Sequence, residues 1–439
     1  MKIVVIGSGY VGLVSAICFA KIGHQVVCVD KLVDKIDSLN NGEIPIYEPG
    51  LKEELDQVVK QKSISFATDL SKALVDAKAV FIAVGTPQDQ DGSADLSYVL
   101  QATKEIALYS TDQKLIVTKS TVPAQTGEKI KTLLKETRKE INFLVASNPE
   151  FLREGCALND FMNPDRIVIG YDDHQAGKIL SEIYNYFPAD KIFHTDIITA
   201  ELIKYGSNSF LATKIAFINQ LADLCESIGG NIKDLAKAIG MDSRIGEKFL
   251  NPGPGFGGSC FPKDIMALIK IAKNNHTNLS LVESVVNANN DRKNSMLKKI
   301  LRACEQKIAG KKIAFLGLAF KANTDDIRYS PAVAIAKELA QQQAIVNAHD
   351  YQAIKNTKNE LKSINNISYY QDPYQAIKDC DLIIFATEWQ EYQKLDFSRI
   401  KQLTACRKIV DFRNLFSAKD LENHGFSYDF IGKKIEAKN

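Results

Sequence analysis

Absences narrow the field before any motif does. The 439-residue chain has no CxxC pair, and its eight cysteines (Cys18, Cys28, Cys156, Cys225, Cys260, Cys304, Cys380 and Cys406) are scattered. That pattern excludes a small disulfide-rich module and carries no zinc signature, so no metal and a reducing compartment are expected. No block of like charge stands out, and a formal net charge of +2 gives no reason to expect nucleic acid or an anionic membrane as partner. No apolar run reaches the length needed to span a bilayer. The stretch from Ile3 to Ala20 is apolar enough to imitate a signal peptide, but Gly7, Gly9 and Gly12 interrupt it and no clear cleavage-site pattern follows. The expected location is the cytoplasm.

What is present fits a soluble globular protein too long for one core, so two or three domains are expected. Lys2 to Ile6 reads as a short β-branched strand, followed by Gly7-Ser8-Gly9-Tyr10-Val11-Gly12 and a helical run to Lys21. Gln25 to Val29 is a second strand, ending in Asp30. This is GxGxxG between a strand and a helix, with an acid about twenty residues on, the arrangement that binds a dinucleotide. The glycines let a pyrophosphate approach the helix N-terminus, where unpaired N–H groups face it. Asp30 is placed to accept from the ribose hydroxyls, which favours NAD over NADP.

Strand and helix continue to alternate. Ala79 to Val84 and Lys114 to Thr118 read as strands running into Gly85-Thr86-Pro87 and Lys119-Ser120-Thr121-Val122-Pro123. Loops at the carboxyl ends of such strands line the ligand crevice, which puts Thr86, Ser120 and Thr121 near a cofactor or reacting centre. Phe143 to Ala146 and Arg166 to Gly170 are further strands, with Ser147 to Gly155 (SNPEFLREG) between them. If that piece is helical, Glu150 and Glu154 share one of its faces.

From Thr199 to Ile228 thirty residues lack proline and carry helical periodicity, a span of roughly 45 Å as a helix. Such a helix suits a connector whose apolar flanks pack against a second subunit. Lys204 and Asn208 lie four apart on it and share a face. More helix follows, at Ile232 to Ile239 and Asp264 to Asn274, giving a mostly helical middle region to about Lys293. The last part returns to alternation, with strands at 312–316, 344–349, 382–386 and 408–410. Lys321, Arg328 and Arg413 stand near strand ends, where they offer charge to phosphates.

The densest stretch is Asn251 to Asp264, NPGPGFGGSCFPKD. A loop so rich in glycine can wrap closely around a ligand. Pro262 marks a helix start just after Cys260. With a helix N-terminus and Lys263 beside it, Cys260 stands in an environment that favours the nucleophilic thiolate.

Together these residues resemble the nucleotide-sugar dehydrogenase family over essentially the whole chain. The resemblance rests on Gly7 to Gly12, STVP (Ser120 to Pro123), SNPEFLREG, Lys204 with Asn208, RIGEKFLNPGPGFGGSCFPKD (Arg244 to Asp264), AFKANTDDIR (Ala319 to Arg328) and DFRN (Asp411 to Asn414). Members acting on N-acetylated UDP-sugars typically carry GGHC and PVDP, whereas GDP-mannose members share GGSC-x-PKD with this chain. The context of Arg244 to Gly246 and of Phe249-Leu250 is more similar to the UDP-glucose members. Phe412 departs from the glycine that relatives often have there.

The resemblance implies two Rossmann-like doubly wound α/β domains, NAD-binding at 1–198 and UDP-sugar-binding at 294–439. Between them it implies a helical central, dimerising domain at 199–293 containing the long connecting helix. It implies NAD as cofactor, UDP-glucose as the small-molecule partner, a homodimer, and oxidation of the sugar's C6 alcohol to a carboxylate. Cys260 would be the nucleophile, Lys204 and Asn208 the oxyanion stabilisers, Asp264 and Thr121 the groups that hold water or relay protons, and Glu150 the base for hydrolysis. Gly7, Gly9, Tyr10, Val11, Gly12, Asp30, Lys35, Thr86, Thr121, Glu154, Lys263 and Arg328 would bind the cofactor. Glu150, Phe151, Leu152, Glu154, Lys204 and Asn208 would line the sugar, as would Arg244 from across the dimer, Phe249, and the loop from Asn251 to Gly257. Phe320, Lys321 and Arg413 would meet the nucleotide. A GDP-mannose dehydrogenase and a catalytically silent nucleotide-sugar sensor are the alternatives.

Overall fold

The computed structural model describes residues 1–89 and 91–432; the last seven residues of the expected C-terminal domain, 433–439, lie outside the described residues. The chain divides into two compact units, Met1–Ser207 with Met266–Asn278, and Asn208–Ile265 with Leu279–Asn439.

The first unit is built on eight strands: β1 (Lys2–Ile6), β2 (Gln25–Val29), β3 (Ile64–Ala67), β4 (Ala79–Ile82), β5 (Leu115–Thr118), β6 (Leu144–Ser147), β7 (Ile167–Tyr171) and β8 (Ile192–Thr195). Their order is β3-β2-β1-β4-β5-β6-β7-β8, parallel except where β7 runs against β6. Strands such as AVFI and LIVT are buried at every position because helices cover both faces of a parallel sheet. Along β1, Ile3 and Val5 pack into one apolar layer while Val4 and Ile6 pack into the other. Ile6 pairs with both Val29 and Ile82, so the carboxyl ends of β2, β1 and β4 stop level. That register brings Asp30, Gly7 and Ala83 to one edge.

The second unit holds β9 (Lys312–Leu316), β10 (Ile345–His349), β11 (Ile367–Tyr370), β12 (Leu382–Phe385), β13 (Lys408–Asp411) and β14 (Ser427–Phe430). The order β11-β10-β9-β12-β13-β14 repeats that of the first six strands of the first unit. The repeat extends to backbone detail. Gly7, at φ +104, donates its N–H to Val29 at 2.7 Å, and Gly317, at φ +105, donates to His349 at 2.8 Å.

The long helix runs Ile197–Ile228, two residues earlier than expected, and the cysteine is followed by a helix at Phe261–Asn274. One sequence expectation fails. Residues 148–156 are not helical, so Glu150 and Glu154 do not share a helix face. Pro149 disfavours α geometry at Asn148, and Gly155 ends the segment at φ +78; only then does a short helix, Ala157–Met162, begin. No helix among the described residues is long and apolar enough to cross a membrane.

Candidate active site

In the first unit, the loop after β1 is shaped by its glycines. A Cβ on Gly7 would lie 2.6 Å from the carbonyl oxygen of Ala83, and one on Gly12 would lie 1.9 Å from that of Gly7, whereas the same atom on Gly9 meets nothing within 4 Å. The first and third glycines are therefore required by packing, and the second leaves open space at the start of the helix Tyr10–Lys21. Gly9 caps that helix without a side-chain bond, which leaves first-turn N–H groups for an anion. Asp30 accepts from the Ser8 N–H at 2.8 Å, the Ser8 hydroxyl at 2.6 Å and the Leu32 N–H at 3.1 Å. Burial opposes its charge, but these bonds and Lys35 outweigh burial and hold the carboxyl below its ordinary range. A half-buried, ionised acid at the end of β2 beside an open glycine turn fits the adenosine half of NAD. Ser8, which the motif leaves as a variable position, turns out to be what holds Asp30.

Farther along the same strand ends, the hydroxyl of Thr86 donates to the Thr121 carbonyl at 2.9 Å, and that of Ser120 to the Val84 carbonyl at 2.6 Å. These bonds tie the two turn-rich loops together. Glu150, which follows β6, receives Lys204 Nζ at 3.1 Å, and both side chains are about 4% exposed. Lys204 also lies 5.6 Å from the Phe151 ring centroid, whose other cation is Arg166 at 3.8 Å. The lysine is thus a buried member of a charged pair, and the snorkelling surface role common for helical lysines does not apply. Leu152 returns its N–H to Glu150, which folds the segment back on itself, while Glu154 is half-buried.

Beneath this pair lies Lys119, a residue sequence reasoning passed over. It is buried and donates to Asn148 Oδ1 at 2.9 Å. Burial pushes its ammonium down to about 8; Glu150 acts against that shift and Lys204 adds to it. The signal that could have found it is its position, directly before the STVP loop at a strand's carboxyl end.

In the second unit, Cys260 is half-buried and immediately precedes Phe261–Asn274; its carbonyl accepts the Asp264 N–H at 2.9 Å, which closes the first turn. The Ser259 hydroxyl lies 3.5 Å from its sulfur. One turn on, Asp264 is 1% exposed. It accepts from Asn208 Nδ2 at 2.6 Å and from Lys263 Nζ at 2.7 Å. Four residues spread over 56 positions are thereby gathered at the helix start.

The glycine loop before the cysteine is held by side chains absent from any motif. Asn219 accepts the Gly253 N–H at 2.8 Å, Arg292 donates to the Gly253 carbonyl at 2.8 Å, and Asn289 bonds both the N–H and the carbonyl of Phe256. Space is tight on the other sides. A Cβ on Gly257 would come 2.4 Å from the Tyr329 carbonyl oxygen and one on Gly258 would come 2.7 Å from the Phe320 ring. Phe249 stands in the left-handed region at φ +66, with its ring 6.2 Å from that of Phe261.

The remaining sequence candidates fall into place unevenly. Arg413 spends its donors on the Ala386 and Phe320 carbonyls and on Glu388, a fixed position at the ends of β12 and β13. Lys321 Nζ lies 5.4 Å from the Phe320 ring centroid. Arg328 forms a two-bond pair with Asp326. Arg244 has a side chain that is 87% exposed and paired with Asp242. Asn251 is exposed, Lys35 lies on the helix after Asp30, and Val11 sits in the first turn of the Tyr10–Lys21 helix.

The chemistry available is a thiol at a helix N-terminus with an amide, carboxylate and ammonium behind it, a buried ammonium–carboxylate pair, and a dinucleotide cradle. Three models of the UDP-glucose/GDP-mannose dehydrogenase family match in succession: the NAD binding domain over residues 1–188, the central domain over 198–291 and the UDP binding domain over 314–418. The chain is 47% identical over 438 residues to a UDP-glucose 6-dehydrogenase of Rhizobium meliloti, covering 99% of this chain and 100% of that one. It is 46% identical over 435 residues to the enzyme of the same name from Rickettsia conorii, with 99% and 100% covered. Among solved structures, a UDP-glucose dehydrogenase from the archaeon Pyrobaculum islandicum superimposes with a TM-score of 0.89 at 38% identity, over 95% of each chain. The chain is an NAD-dependent dehydrogenase belonging to the UDP-glucose/GDP-mannose dehydrogenase family.

Proposed function

We propose that this dehydrogenase oxidises UDP-glucose to UDP-glucuronate, a four-electron conversion of the C6 alcohol carried through a covalent bond to Cys260. NAD, when bound, accepts a hydride from C6 in each of two successive oxidations. Between them the Cys260 thiolate adds to the C6 aldehyde, forming a C–S bond as the carbonyl electron pair moves onto oxygen. Lys204 and Asn208 stabilise that oxyanion, and Lys204 also moves a proton. Loss of the second hydride leaves a thioester. Glu150 takes a proton from the attacking water, the C–S bond breaks, and the thiolate departs. Alcohol and water have then become a carboxylate, with two hydrides and the balancing protons released. Asp264 and Thr121 hold the water or relay protons, and Glu154 borders the nicotinamide and sugar.

The observation that carries this reading is the Asn208–Asp264–Lys263 cluster one helical turn after Cys260. A sensor that only binds a nucleotide sugar needs no thiol backed by buried, mutually bonded polar groups. For the substrate, the names of the full-length relatives favour UDP-glucose over GDP-mannose. The loop from Asn251 to Gly257 with Phe249 would wrap the diphosphate and sugar, with Phe320, Lys321 and Arg413 on the nucleotide and Arg328 on NAD. Functionally the chain would divide as 1–198, 199–293 and 294–439. Phe210, Phe217 and Leu224 recur every seven residues on the long helix and are 66%, 52% and 51% exposed; such a stripe suits a homodimer interface, from across which Arg244 would reach the partner's sugar. The test is NADH production across a panel of nucleotide sugars: turnover with UDP-glucose and little with GDP-mannose supports the assignment, and the reverse order overturns it.

A further inference from the structure

We propose that Glu48 is a positioning residue that fixes the Glu150–Gly155 segment to the dinucleotide loop, so that the cofactor's seat and the sugar's seat are held by one carboxylate. The inference rests on the proposed function above.

Glu48 lies near the end of the connection between the helices Val33–Asn40 and Leu51–Lys60. Its carbonyl accepts the Leu51 N–H, Pro49 follows it, and Gly50 takes φ +78. Its side chain is buried, and its two oxygens serve three donors. Oε1 accepts the Ala157 N–H at 2.7 Å, and Oε2 accepts the Gly155 N–H at 2.6 Å and the Tyr10 hydroxyl. The Gly155 N–H also approaches the Tyr10 oxygen at 3.0 Å. Donors 38 to 109 residues away in the chain therefore converge on a single group.

Each end of this connection has a role. Tyr10 is the first residue of the helix whose N-terminus faces the pyrophosphate seat. Gly155 and Ala157 close the segment that begins at Asn148 and carries Glu150, Phe151, Leu152 and Glu154. Burial and the neighbouring Glu48 charge push the Tyr10 phenol far above its ordinary range, so it remains a donor. Only an ionised carboxylate accepts all three bonds at once, because an amide would turn N–H groups toward N–H and O–H donors. A ligand that steadies the first turn of the Tyr10 helix thereby steadies Gly155 and Ala157. Misplacing Glu150 by about 1 Å is enough to cost on the order of 100-fold in rate.

The test compares wild type with Glu48→Gln and Tyr10→Phe, using calorimetry for NAD affinity and amide hydrogen exchange for residues 150–157. In the wild type, NAD should slow exchange at Gly155 and Ala157 by about tenfold. In Glu48→Gln, NAD should still bind within about tenfold of the wild-type affinity, yet without that slowing. With UDP-glucose its kcat should fall about 10- to 100-fold while KM for NAD changes little. Tyr10→Phe keeps both backbone bonds and should lose part of the slowing; it decides the matter alone if Glu48→Gln does not fold. Full slowing retained in whichever variant folds, or none in wild type that binds NAD, overturns the inference. Wild type that does not bind NAD overturns the functional reading as well, which separates the two failures.

Discussion

Asn208 donates its side-chain amide to Asp264 across 2.6 Å, and both residues are at most 5% exposed. A buried carboxylate satisfied by an amide and by the Lys263 ammonium is a fixed, charged surface from which protons can be taken or returned. Replacing Asn208 by Ala removes one donor and leaves the carboxylate poorly satisfied. We expect kcat to fall about 100- to 1000-fold in Asn208→Ala and in Asp264→Asn with UDP-glucose, with KM changing far less. Steady-state kinetics check this; a loss confined to KM would contradict it.

The Glu150–Lys204 pair makes a second prediction, on stability. Truncating one partner of a buried pair strands the other charge, at about 3–5 kcal/mol. Lys204→Ala should therefore lower the unfolding free energy by that order in urea denaturation at neutral pH. The double variant Glu150→Gln/Lys204→Met should recover much of the loss. Additive losses in the double variant would show that the two groups do not interact.

Much of this was legible in the chain. The dinucleotide turn announces itself because its glycines, its strand and its acid are local and fixed in spacing. The cysteine loop does so because its glycine density and Pro262 are local too. The missed residues share a different property. Glu48, Lys119, Asn219, Asn289 and Arg292 act on backbone or side chains 29 to 109 positions away, so no window on the sequence contains both partners. The helical reading of Glu150 and Glu154 failed for a related reason. Spacing alone suggested a shared face, whereas Pro149, Gly155 and the remote Glu48 set the segment's path. Short edge strands such as β3 and β8, four residues each, also gave too little pattern to read.

A third prediction concerns pH. Burial raises the Glu201 carboxyl to about 8, against the opposing hydrogen bonds from Gly127, Gln125 and Thr126. Between the ordinary carboxylate range and pH 8 the folded state holds a proton that the unfolded state has lost, so stability falls as pH rises through that window. Glu201→Gln keeps an acceptor for the Gly127 N–H and cannot ionise. Its stability relative to wild type should improve by about 1–3 kcal/mol between pH 5 and pH 8. Thermal unfolding at the two pH values reads this directly; an unchanged difference would contradict it.

The cradle supplies a fourth. Gly257 has no room for a methyl group beside the Tyr329 carbonyl oxygen. Gly257→Ala should shift the loop away from its Asn289 and Arg292 contacts and raise KM for UDP-glucose at least tenfold, with NAD affinity measured by calorimetry unchanged. A normal KM would mean that the loop does not bear on the sugar.

The central claim is that Cys260 carries the sugar between the two oxidations, and the most direct measurement is NADH released per UDP-glucose consumed. Wild type should release two for each sugar, with UDP-glucuronate as product. Cys260→Ala should give no sustained turnover at that stoichiometry, because the aldehyde has nothing to hold it for the second hydride transfer. Full turnover at two NADH per sugar in Cys260→Ala would contradict the account.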